Sequence, residues 1–178
     1  VLWGLFFAPE PQQVKEAQLQ KEKNALVQNE DAPKLIESEE IKVITREKAI
    51  NESDRVFFEN ENIIGSISLN GAIIDDLTFK KYTTTVTGNE QVTLLNPKEI
   101  KTGYYIDSGW AINNNDVETP NNKTVWEVDG NNKLTPSTPV KLKWTNNNIT
   151  FEKIIKLDNK FLFNIEQKII NNSDKTYN

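Results

Sequence analysis

The chain has 178 residues and a net charge of −5, from 21 Lys+Arg against 26 Asp+Glu. It contains neither Cys nor His. Disulfides and thiolate metal sites are thereby excluded, and the commonest general base and transition-metal ligand is missing. The acidic balance, with cations scattered rather than striped, also argues against a nucleic-acid partner. The composition points to a non-enzymatic protein with no catalytic, cofactor or metal residues.

Residues 1–8, Val1-Leu2-Trp3-Gly4-Leu5-Phe6-Phe7-Ala8, are apolar throughout and stop abruptly at Pro9 and Pro11. About 20 apolar residues are needed to cross a bilayer, so this run reads as the end of a longer N-terminal membrane helix. Residues 9–39 are mostly Gln, Glu, Lys, Ala and Asn, with apolar positions too sparse for a wide buried stripe. They read as a polar, disordered linker. The remainder, 40–178, reads as a folded β domain.

From Glu40 the hydrophobic period changes to two. Ile41, Val43 and Thr45 alternate with polar neighbours, and Val56-Phe57-Phe58 is a short apolar run. Ile63, Gly65, Ile67 and Leu69 fall on one strand face, with Ser66, Ser68 and Asn70 on the other. Asn70-Gly71 predicts a hairpin turn into a strand running from Ala72 toward Tyr82. Further strands are predicted around Val92–Leu95, Tyr104–Ile106 and Thr124–Trp126. Pro136 and Pro139 cannot sit in a central ladder, so they mark an edge or the start of a strand. Val140, Leu142 and Trp144 then alternate with Lys141 and Lys143.

In the last segment Phe151, Ile155 and Leu157 share a face, as do Phe161, Phe163 and Ile165. A three-residue loop, Asp158-Asn159-Lys160, pairs Leu157 with Phe161 and Ile155 with Phe163. That register keeps the apolar residues together, as a half-buried sheet demands. Strands at this spacing, with no amphipathic helix between them, predict an all-β fold, an antiparallel β-sandwich.

Chemical motifs are few. Asp75-Asp76 is the only adjacent acid pair in the β region, and in a regular strand the two point to opposite faces. The glycines are isolated, so no phosphate-cradling loop is present. Tyr104, Trp110 and Trp126 are the candidate binding residues: they could line a cleft, although alternating aromatics in a sandwich are usually core.

The order of these segments resembles a known family. Ile67-Ser-Leu-Asn-Gly-Ala-Ile-Ile-Asp-Asp-Leu-Thr-Phe-Lys-Lys-Tyr82 is similar to the opening of the large periplasmic domain of YidC, the bacterial inner-membrane protein insertase. Val92–Pro97, Tyr104-Tyr105, Gly109-Trp110, Thr124-Val-Trp126, Leu134-Thr-Pro136, Pro139–Trp144 and Phe151–Gln167 follow in that family's order. The apolar start and polar linker match what precedes that domain. The resemblance implies a β-supersandwich, incomplete at its C-terminal end, on the periplasmic side of the inner membrane. It implies an interaction module for nascent membrane proteins and Sec translocon accessory subunits, with no catalysis and no cofactor in this segment. Arg46 and Arg55 do not match the arginine of that family's membrane groove. The alternative reading is a periplasmic carbohydrate-binding or sugar-modifying sandwich.

Overall fold

The computed structural model describes residues 44–112 and 117–177, which fall in one compact unit, Lys42–Asn178. The predicted membrane-helix end, the polar linker, Ile41 and Val43 lie outside the described residues. No helix among the described residues is long and apolar enough to cross a membrane.

Thr45 is not a strand residue. It sits at φ −72°, ψ 157° as the N-cap of a short helix, α1 (Arg46–Ile50), and its hydroxyl accepts from the Lys48 amide. Thr is a good N-cap, and Arg, Glu, Lys and Ala behind it are good helix formers. This local chemistry overrides the alternation.

Two sheets follow. The first has five strands in the order β4-β3-β2-β1-β6, formed by β1 (Arg55–Glu59), β2 (Ile63–Ser68), β3 (Ile73–Thr83), β4 (Gln91–Leu95) and β6 (Lys133–Leu134). The second has four, β5-β7-β8-β9, from β5 (Glu127–Val128), β7 (Val140–Asn146), β8 (Ile149–Leu157) and β9 (Phe163–Asn171). All named pairings are antiparallel except β1 with β6. The expected all-β sandwich is therefore present.

The core forms where the inward residues of both sheets meet. Val56, Phe58, Ile63, Ile67 and Leu77 from the first sheet join Val140, Leu142, Phe151, Ile155 and Leu157 from the second. Phe58 stands edge-on to Phe163, with ring centroids 5.1 Å apart. Opposite Phe58 in the ladder is Gly65, where a Cβ would lie 2.6 Å from the Phe58 ring and 1.9 Å from the Asp76 carbonyl oxygen. Only glycine leaves room for both.

Several segments differ from the sequence expectation. The positive-φ residues near Asn70-Gly71 are Gly71 (81°) and Ala72 (53°), not Asn70 and Gly71. The loop is captured by the chain further on: the Gly71 amide donates to the Thr124 carbonyl, and the Trp126 amide donates to that of Leu69. Neither Tyr104–Ile106 nor Thr124–Trp126 is a named strand, but both supply bridges, Asn96 with Tyr104, Ile74 with Ile106 and Asn70 with Val125.

The β8–β9 loop spans residues 158–162 rather than 158–160. Leu157 pairs with Phe163 and Ile155 with Ile165. The slip is of two residues, so the apolar residues stay on one face, which is why the pattern alone could not detect it. The Asp158 carboxylate accepts from the amides of Lys160 and Leu162, and Asn60 donates to the carbonyls of Asp158 and Lys160. A side chain from the other sheet thus sets the loop length.

Candidate functional site

Two polar clusters interrupt the apolar interior. The first surrounds Asp75 and Asp76. The β2–β3 ladder pairs Ser66 with Asp76 but Ile67 with Ile74, leaving Asp75 as the extra residue of a β-bulge. The bulge draws both carboxylates into one network instead of sending them to opposite faces. The Ser66 hydroxyl donates to Asp76 at 2.6 Å, Arg55 donates to Ser66 at 2.7 Å, and Arg55 is also ion-paired to Asp75. Arg46 on α1 pairs with Asp76 and donates to Asn96 at 3.1 Å. Burial pushes the Asp75 carboxyl above its ordinary range, against the opposing pull of Arg55. Both arginines of the chain are thus committed to acids, and the cluster clips α1 onto the first sheet.

The second cluster is built around Trp126. Of the three aromatic candidates, the fold brings two together and leaves one apart. Trp110 and Trp126 are stacked, with centroids 6.0 Å apart and planes inclined by 23°. Trp110 also meets Phe151 edge-on at 5.1 Å. Tyr104 is 63 % exposed on the first sheet's margin and lines neither of the two cavities that Trp110 borders. Trp126 is only 2 % exposed, so it offers no open ring platform of the kind a sugar stacks on.

Lys153 completes the cluster. It lies on β8 between Phe151 and Ile155, both inward-facing core residues, and is 1 % exposed. Its ammonium sits 5.2 Å from the Trp126 ring centroid and donates to the Ser108 carbonyl. Burial lowers its pKa, and Asp107 opposes that shift only in part. Lys153 was not among the candidates drawn from the sequence. Its signal was there: a cation at an inward position of the Phe151-x-x-x-Ile155-x-Leu157 alternation breaks the binary pattern.

Trp110, Trp126 and Lys153 border a cavity of about 200 Å³ that Asp107, Ser108 and Asn122 help to line. A second, more apolar hollow of about 170 Å³ lies on the other side of Trp110, against Phe151 and Ile169.

Comparison with known proteins gives one family. A model of the YidC periplasmic domain matches residues 55–178. A membrane protein insertase YidC from Pelagibacter ubique (strain HTCC1062) is 49 % identical over 100 % of this chain and 32 % of its own length. The YidC of Brucella suis biovar 1 is 43 % identical over 75 % of the chain and 22 % of its own length. That of Rickettsia bellii is 38 % identical over 96 % and 30 %. The chain therefore spans a third or less of the length of these relatives.

Proposed function

The chain belongs to the YidC periplasmic-domain family, and from that premise we propose that it is the interaction module of a membrane protein insertase. It faces the periplasm from the bacterial inner membrane and takes no chemical step itself. Its residues 40–178 form the working domain, tethered by residues 9–39 to a membrane helix that ends near Ala8. Its partners are nascent membrane proteins and accessory subunits of the Sec translocon.

The observation that carries this reading is the outer edge of β9. At nine residues, β9 is the longest terminal strand of either sheet, and among the described residues it pairs only with β8. It holds no proline, and Phe161, Leu162 and Ile169 expose apolar surface at and beside it. Such an edge is a template for an added strand, from a later segment of the domain or from a partner, with main-chain hydrogen bonds giving affinity and alternate side chains selectivity. The absence of chemistry is supported by the acids themselves: Asp75 and Asp76 are each held by an arginine.

Photo-crosslinking in the full-length protein tests the proposal. A photoreactive residue at Glu166 or Lys168, both exposed on β9, should capture nascent membrane proteins or Sec accessory subunits. The same residue at Lys123, exposed in the segment before β5, serves as control. Capture from Lys123 equal to that from β9 would refute the edge as the docking surface. Removing residues 40–178 from the full-length protein while keeping the rest should leave most insertion activity, and its complete loss would refute an accessory role.

A further inference from the structure

Asn70-Gly71 is the chain's one Asn-Gly pair, the dipeptide in which asparagine is chemically most labile. Glycine has no side chain to shield its amide nitrogen, so that nitrogen can reach the preceding side chain. In the reaction the Gly71 nitrogen loses its proton and attacks Asn70 Cγ, closing a succinimide ring. The Cγ–Nδ2 bond breaks, and Nδ2 leaves as ammonia with the proton. Water then opens the ring at either carbonyl. The product is Asp, or isoaspartate with an extra methylene in the main chain.

Asn70 itself is exposed, so water and base reach it. The attacking nitrogen is not free. Gly71 is buried, and its amide donates to the Thr124 carbonyl at 2.7 Å. Bringing that nitrogen onto Cγ also turns the Asn70 peptide plane, and bonds on both sides resist the turn. Asn70 bridges Val125, the Trp126 amide donates to the Leu69 carbonyl at 2.8 Å, and the Ser68 hydroxyl accepts from the Asn70 amide at 3.1 Å. The segment supplying this clamp has its own turn. The Asn121 amide donates to the Thr124 hydroxyl at 2.9 Å, and the Lys123 amide donates to the Asn121 side chain at 2.9 Å.

We propose that Asn70 is a latent deamidation site, closed by residues 121–126 in the native fold and reactive only when that segment lifts away. Such an opening is local and leaves the core packed. The product does not fit back. Isoaspartate lengthens the main chain at the Val125 bridge. The new carboxylate also joins a cavity of about 140 Å³ that Asn70 lines with Glu52, Asp75 and Glu99. The cations there are already engaged, Arg55 with Asp75 and Lys98 with Glu99. Each opening that runs to reaction therefore leaves a permanent mark. The site does not depend on the β9 edge.

Peptide mapping of the chain aged in mildly alkaline buffer tests this, counting Asp and isoaspartate at position 70. The native chain should convert roughly tenfold or more slowly than the same chain unfolded in urea. Asn121→Ala and Thr124→Ala loosen the turn, and urea below the unfolding midpoint loosens the parent itself. Across these samples conversion should rise in step with hydrogen exchange at the Gly71 amide. Asn70→Asp, which mimics one product, should exchange Gly71 several-fold faster than the parent. Native conversion as fast as in the unfolded chain, or conversion that does not follow Gly71 exchange, would overturn the gate. Parent-like exchange in Asn70→Asp would overturn the lasting effect of the mark.

Discussion

Replacing Phe58 with alanine tests the sandwich at its centre. Phe58 is fully buried, and its neighbour Phe57, one residue earlier on β1, is 59 % exposed. Withdrawing a buried phenyl ring forfeits about 1.5–3 kcal/mol of transfer free energy. The edge-on contact with Phe163 adds about 0.5–1.5 kcal/mol. The hole cannot be filled from across the ladder, because the facing residue is Gly65. The expected loss is therefore about 3–5 kcal/mol, the range found for buried Phe→Ala changes with a residual cavity. Urea unfolding followed by tryptophan fluorescence should show a large fall in midpoint at constant slope. Phe57→Ala should stay within about 0.5 kcal/mol of the parent, as exposed substitutions do. Equal losses in the two variants would mean that β1 does not present its faces as described, and the register with β2 would fall with it.

Three further outcomes are expected. Gly65→Ala should destabilise the chain by about 1–3 kcal/mol, because the added methyl meets the Asp76 carbonyl and the Phe58 ring; a neutral result in the same urea assay would contradict that close approach. Asn60→Ala removes two hydrogen bonds to the 158–162 loop and two from the amides of Asn62 and Ile63, so it should cost about 2–3 kcal/mol and speed amide exchange at Leu162. Unchanged exchange there would show that the loop holds itself. Lys153 has a folded pKa below its ordinary 10.5, so between the two values the unfolded chain holds a proton that the folded chain has released. Stability relative to Lys153→Met should therefore rise with pH across that window, and a flat or falling difference would refute the buried setting of the amine.

Strands whose burial is decided by alternation were legible in the sequence. Val56–Phe58, Val92–Leu95 and Val140–Trp144 fall within observed strands, and the predicted Ile63–Asn70 and Ala72–Tyr82 overrun β2 by two residues and begin one residue before β3, because one face of each must turn inward. Side chains acting across long sequence separations were not legible. Nothing within residues 157–163 announces that Asn60 will fix the loop between them. Likewise the bulge depends on Ser66, ten residues before its partner Asp76, and on Arg55, twenty before Asp75. One local signal was readable and went unused. Asn147 and Asn148 sit at φ 49° and 63° in a two-residue turn between β7 and β8, and Asn tolerates that region better than most residues. Trp110 and Trp126 did prove adjacent, but their partner is Lys153 rather than Tyr104.

The two polar clusters share an interior and differ in one respect that decides how each is read. Around Asp75 and Asp76 every charge has an opposite charge beside it, and Ser66 ties the two ion pairs together. Removing any one partner would strand another in low dielectric, so the network holds α1 and the bulge in a single arrangement. Nothing is left over for a ligand. Around Lys153 the compensation is looser: Asp107 acts on the ammonium without an ion pair, the Ser108 carbonyl is its acceptor, and the Trp126 indole N–H has none. Were the lysine there only to pack against Trp126, an apolar side chain would fill the space at lower cost. The lysine is instead fixed by what it touches, its ammonium on the Ser108 carbonyl and over the Trp126 ring, which ties the segment carrying Ser108 to β8.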